Sequence, residues 1–258
     1  DAGLDDIAHE SSGAYSIGHL EASVTRDEYI DTIGKIKDQL AEGATYQVNY
    51  TYRLRADFNG DTWSFFRNLV RGQKAGHAAY IENDGFAICS ASPELFFSVS
   101  DGLITSRPMK GTERRGRTLA EDRQRAEALQ GSIKNRAENI MIVDMIRNDI
   151  GRIAEPGSVE VVSCFDVEKY PTLWQMTSTV SGSTAQTADA VWQALFPCAS
   201  ITGAPKAKTM EIIQGLETTP RKIYTGSVGF MSPQGEASFN VAIRTALVDK
   251  RKIGRAHV

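Results

Sequence analysis

With 258 residues, 41% of them hydrophobic and 24% charged, the chain is long enough for one large domain or two small ones and has an ordinary globular composition. A formal net charge of −3 argues against the basic face of a nucleic-acid binder. No apolar run approaches the roughly 18 residues of a membrane span, and no signal-peptide core is present, so the cytoplasm is the expected compartment, with no membrane partner.

In chain order, residues 1–23 are polar and irregular and read as a linker or remnant. Val24 to Gly43 reads as a helix, with Thr25 and Glu28 spaced as a capping box and Ile30, Ile33, Ile36 and Leu40 at helical intervals. Tyr46 to Phe58 alternates like a strand, and Asp61 caps a helix over Trp63 to Arg71. Strands are expected at His77–Glu82, Phe86–Ser90, Glu94–Val99 and Leu103–Arg107, forming one antiparallel meander. Leu119 to Ala154 reads as a long helix with a break near Gly131. Val159–Asp166 and Gln175–Gly182 read as strands, and Ala185–Phe196 and Ala204–Leu216 as helices. A hairpin, Ser227–Ser232 with Ala237–Val248, ends the series. Strands and helices come in blocks, which predicts an α+β fold of antiparallel sheets with helices outside.

Several residues suit chemistry. Pro108 and Gly111 flank Lys110, so the preceding strand is expected to end at the proline and leave the lysine projecting from a strand end. Glu94, followed by Leu95, Phe96 and Phe97, reads either as a strand-edge charge or as a partly desolvated carboxyl poised to hold or give a proton. Ile140 to Ile146 is apolar except for Asp144, which predicts a buried segment and an Asp144–Arg147 ion pair. Glu138, where that stretch begins, reads either as a solvated helix charge or as a ligand for a hard metal. Thr202 is the expected N-cap of the helix carrying Pro205 in its first turn. In Phe239–Thr245, Asn240, Ala242 and Arg244 share one strand face, which reads either as a solvated face or as the setting of an Arg244 carboxylate clamp, with Tyr224 able to share that anion. The basic segment containing Arg114, Arg115, Arg117, Arg123 and Arg125 is interleaved with Glu113, Glu121, Asp122 and Glu127 and reads as a solvated face. Cys89, Cys164 and Cys198 share no metal or redox spacing and read as small buried hydrophobes.

Five segments taken together, Ser-Pro-Glu at 92–94, Pro-Met-Lys-Gly-Thr at 108–112, the run from Glu138 to Asp149, Ser-Ile-Thr-Gly-Ala-Pro-Lys at 200–206 and Ala-Ile-Arg-Thr at 242–245, resemble the chorismate-utilising enzymes. That family includes anthranilate, aminodeoxychorismate, isochorismate and salicylate synthases, and the likeness runs from about Tyr29 to Val248. Lys110, and its separation of 16 residues from Glu94, resemble the aminodeoxychorismate synthase branch; relatives making anthranilate or isochorismate generally carry alanine there. The resemblance implies that Lys110 attacks C2 of chorismate while Glu94 assists the departing 4-hydroxyl, after which ammonia adds at C4 to give 4-amino-4-deoxychorismate for folate synthesis. It further implies Mg²⁺ on Glu138, chorismate held by Gly111, Thr112, Thr202, Tyr224 and Arg244, and a glutamine amidotransferase partner supplying ammonia. Gln175 departs from a histidine common in the family, and Asn135 from a commonly acidic position. An anthranilate synthase and a non-catalytic module that binds chorismate or docks a glutaminase remain the alternatives. The resemblance also makes residues 24–250 a chorismate-binding catalytic domain lacking its C-terminal part, with a second metal-binding glutamate, so a chain of this extent is expected to turn over weakly or not at all. Residues 251–258 are expected to be an artefactual tail, the last six resembling translated adapter sequence.

Overall fold

A computed structural model describes residues 13–73, 75–249 and 255–256. Two antiparallel sheets dominate, and the chain passes between them twice. The larger has seven strands, in the order Met109–Arg114, Leu173–Ser183, Leu103–Arg107, Leu95–Ser100, Ala237–Val241 and Ser227–Met231, with Glu160–Lys169 also pairing to Leu173–Ser183. The smaller runs Arg255–Ala256, Thr245–Asp249, Phe86–Ser92 and His77–Glu82. The fold is α+β, as expected.

Each sheet buries one face against helices. Helix α4 (Ile133–Gly151) and α5 (Ala188–Leu195) lay Ile142, Val143, Ile146, Ile150, Val191 and Leu195 on Phe96, Ile104, Val180 and Val241 of the large sheet. Helix α2 (Thr62–Gln73) sets Phe65, Phe66 and Val70 against Ala87, Cys89, Ala91, Ala246 and Val248 of the small one. The alternation of inward-facing residues along each strand supplies these faces.

Local signals fixed some elements well. Helix α1 (Arg26–Ala41) starts at Thr25 with a complete capping box. Ser132 separates α3 (Leu119–Gly131) from α4, close to the expected break. Other expectations fail where tertiary pairing decides. Tyr46–Phe58 is not one strand: Gln47–Val48 pairs with Gly203–Ala204, Leu54–Arg55 with Glu21–Ala22, and Phe58 begins a third short strand. Within the expected linker, Tyr15–Ile17 pairs with Phe58–Gly60; residues 1–12 lie outside the described residues. Of the expected tail, Arg255–Ala256 pairs with Ala246 and Leu247, and residues 251–254 and 257–258 lie outside the described residues.

The expected meander is split, because Phe86–Ser92 belongs to the small sheet and Leu95–Ser100 to the large one. The expected final strand is split likewise: it leaves the large sheet at Val241 and enters the small one at Thr245. Asp144 and Arg147 do pair at 3.0 Å, but on the solvent face, with side chains 64% and 51% exposed. The buried acid of that helix is Asp149, bonded to Lys206 Nζ at 2.5 Å. Nor is the basic segment wholly solvated, since Arg115 pairs with buried Asp122 and lies over the Trp174 ring. Among the described residues, no helix is long and apolar enough to cross a membrane.

Candidate active site

The two crossovers lie side by side, and they carry two of the singled-out residues. Glu94 sits where the chain leaves the small sheet, and Arg244 where it returns. Val241 N–H donates to Glu94 O at 3.0 Å, Ala91 N–H to Arg244 O at 3.1 Å, and Ser92 Oγ to Val241 O at 2.6 Å. Arg244 is not mid-strand: it adopts φ +49° in the crossover and donates to Gln73 Oε1 at 2.7 Å. The expected regular strand face is therefore absent, although the Arg244 charge still acts on Glu94 from the crossover.

Lys110 also departs from expectation. The strand Leu103–Arg107 does end before Pro108, but a new one, Met109–Arg114, begins at once and runs along Leu173–Ser183, to which Leu103–Arg107 also pairs, so Lys110 lies within a strand. The register shifts between Met109 and Thr112, so Lys110 and Gly111 occupy an irregularity of the kind that re-aims side chains beside active sites. Gly111 takes φ +97°, and a Cβ there would meet Asn135 Cβ at 3.1 Å on α4. Glycine therefore allows the strand to approach the helix. Gln175 spans the irregularity, donating to Gly111 O at 2.8 Å and accepting from Thr112 Oγ1 at 3.0 Å.

Glu94 is 3% exposed. Its Oε1 accepts from Ser200 Oγ at 2.7 Å and from Met109 N–H at 3.4 Å, which ties it to the residue preceding Lys110. Burial pushes its carboxyl up to about 7, against the opposing pull of these donors and of the Lys110 and Arg244 charges. Burial draws the Lys110 amine below the ordinary lysine value, opposed by Glu94 and Glu138. No acceptor among the described residues holds Lys110 Nζ. The site thus brings Lys110 and Arg244 within electrostatic reach of Glu94, and Glu138 within reach of Lys110.

Thr202 is not the N-cap of α6 (Lys206–Leu216); Pro205 holds that position. The Thr202 hydroxyl turns back to donate to Cys198 O at 3.1 Å and Ala199 O at 3.3 Å, closing the 3₁₀ turn Ala199–Ile201. Thr202 and Tyr224 line one cavity of about 250 Å³ with Ile201, Met210 and Arg221. The Tyr224 turn is laced to the Arg244 crossover through Thr225 N–H to Ala242 O at 3.0 Å and Ala242 N–H to Gly226 O at 2.9 Å. Ser200 and Gln73 were missed as site residues. Ser200 lies inside a motif already noted, whereas nothing local marks Gln73 at the end of α2.

Glu138 has a side chain 39% exposed, and among the described residues its ion-pair partner is Lys134, at 4.0 Å. No group of three His, Cys, Asp or Glu among the described residues forms a metal cage. One accessible carboxylate fits Mg²⁺, which keeps waters and is commonly bound by one or two carboxylates plus substrate oxygens.

The profile of the family described as "chorismate binding enzyme" matches residues 5–256. Aminodeoxychorismate synthase component 1 of Salmonella typhimurium is 41% identical over 227 residues, covering 87% of this chain and 50% of that protein. Anthranilate synthase component 1 of Aquifex aeolicus is 38% identical over 234 residues, covering 90% and 47%. The chain therefore spans about half the length of the curated relatives it matches. The crystal structure of anthranilate synthase component I from Streptococcus pneumoniae superposes with a TM-score of 0.85 at 30% identity, over 94% of this chain and 54% of that one.

Proposed function

The chain belongs to the chorismate-binding enzyme family, and from that premise we propose that it carries the active site of an aminodeoxychorismate synthase component 1. The placement of half-buried Lys110 within electrostatic reach of buried Glu94 carries this reading. An ordinary lysine is protonated at neutral pH and cannot attack carbon; one drawn below its usual value by burial is closer to the free amine. A carboxyl near 7 still holds a proton for a leaving group under the same conditions.

The Lys110 Nζ lone pair forms a bond to C2 of chorismate, both ring double bonds shift, and the C4–O bond breaks. The hydroxyl departs as water with the Glu94 proton. Ammonia then bonds to C4, the double bonds shift back and the C2–Nζ bond breaks; the new ammonium returns a proton to Glu94, and the lysine is restored as a free amine with 4-amino-4-deoxychorismate released. Gly111 and Thr112, fixed by Gln175, border the ring, while Tyr224 and Arg244 hold the enolpyruvyl carboxylate. Glu138 would hold Mg²⁺, which when bound neutralises the ring carboxylate. A glutamine amidotransferase supplies the ammonia, and the product feeds 4-aminobenzoate and folate synthesis in the cytoplasm. Three unpaired cysteines accord with that reducing compartment.

The test is an assay of the full-length gene product with chorismate, Mg²⁺ and ammonium. Mass analysis should find 4-amino-4-deoxychorismate and, by intact mass, a covalent adduct on the protein; Lys110→Ala should abolish both. Anthranilate as product, or undiminished aminodeoxychorismate from the variant, would refute the reading.

A further inference from the structure

Glu94 has two oxygens, and the structure treats them differently. Both donors that reach the carboxyl, Ser200 Oγ at 2.7 Å and Met109 N–H at 3.4 Å, fall on Oε1. No donor among the described residues meets Oε2, and Oε2 is not among the sealed, unpartnered side-chain atoms, so it retains access to the site. We infer that Ser200 is a positioning residue that holds Oε1 as an acceptor and thereby leaves Oε2 to carry the proton transferred to the substrate.

The direction of the hydrogen bonds follows from what each group has to give. A backbone N–H can only donate, which makes Oε1 an acceptor. Ser200 has one hydroxyl proton, and it is directed to Oε1. The Cys198 thiol, 3.2 Å from Ser200 Oγ, is then left to donate to the serine oxygen, and burial pushes that thiol up to about 12, so it keeps its proton. The series Cys198 S–H, Ser200 O–H, Glu94 Oε1 is buried throughout, with Cys198, Ser200 and Glu94 each 4% exposed or less. In such surroundings each donor polarises the next. Ser200 is itself pinned by the 3₁₀ turn Ala199–Ile201, and its carbonyl accepts from Asn49 Nδ2 at 3.2 Å. The charged or titratable groups acting on Glu94 are Lys110 on the adjoining strand, Arg244 on the neighbouring crossover and Cys198.

The inference rests on Glu94 acting as the proton donor, and the experiment separates the two claims. In the full-length gene product, Glu94→Gln should remove activity; if it does not, the proton-donor reading fails. Ser200→Ala loses a hydrogen bond that favours the charged carboxylate. The basic limb of its kcat–pH profile, where Glu94 loses the proton, should therefore move up by about one pH unit. We expect kcat to fall about tenfold, with KM for chorismate little changed. Ser200→Thr, which keeps the hydroxyl, should restore both the limb and kcat. Ser200→Cys, near in size but a weak donor, gives the same reading should the alanine variant not fold. A basic limb that stays in place or moves down, while Glu94→Gln is inactive, overturns the role of Ser200 and leaves that of Glu94 standing.

Discussion

Burial moves Glu94 and Lys110 in opposite directions, and both moves favour the uncharged form at neutral pH. For Glu94 this has a measurable effect on stability. The folded chain holds the proton up to about pH 7, whereas an unfolded glutamate releases it near 4.5. Between those values the native state binds more protons than the unfolded one, so stability falls as pH rises through this window and levels off above it. At ~1.4 kcal/mol per pH unit the loss is on the order of 3 kcal/mol. Glu94→Gln keeps an acceptor for Ser200 and Met109 and cannot ionise. It should therefore melt above the wild type at about pH 8, with the gap closing toward about pH 5. Paired thermal melts check this, and a variant no more stable than wild type at the higher pH would contradict it. The Ser-Pro-Glu sequence was enough to suggest a desolvated acid, because three apolar residues follow it. That both donors choose one oxygen was not legible, since Ser200 lies 106 positions away.

At the scale of elements, the 200–206 motif shows how a sound local rule can lose to tertiary context. Threonine before a helix ordinarily caps it, yet the Thr202 hydroxyl closes the preceding turn instead. What fastens α6 is Lys206, whose Nζ lies 2.5 Å from Asp149 Oδ2 on α4 and 3.0 Å from Leu195 O at the end of α5. Both side chains are largely buried, at 16% and 10% exposure. Lys206→Met should leave Asp149 as an uncompensated buried acid and cost about 3–5 kcal/mol. Removing both charges, in Asp149→Leu with Lys206→Met, should recover most of that loss. Urea unfolding of the three proteins tests the coupling, and a double variant as unstable as the single one would disprove it. By contrast, the capping box of α1 and the break between α3 and α4 followed from sequence, because their determinants lie within four residues of one another.

Across the whole molecule, the site is a seam between two sheets, and buried polar groups close it. Asn240 donates from Nδ2 to His77 O at 2.8 Å and to Ser90 Oγ at 3.2 Å in the small sheet, and accepts from Val228 N–H at 3.0 Å in the large one. It is 3% exposed, so Asn240→Ala should strand those partners and lower stability by about 2–4 kcal/mol, read as a lower denaturant midpoint. A midpoint unchanged from wild type would show that the seam does not depend on this residue. The α+β class, most helices, the strands His77–Glu82 and Leu103–Arg107, and the family motifs were all written in the chain, since periodicity and short motifs act over a few residues. Which strands share a sheet was not, and so a single meander was expected where the chain in fact changes sheets at Glu94 and again at Arg244. Strand partnership is set by burying apolar faces that are distant in sequence. Only that long-range closure places an acid, a lysine and an arginine, named separately from their local settings, around one buried site.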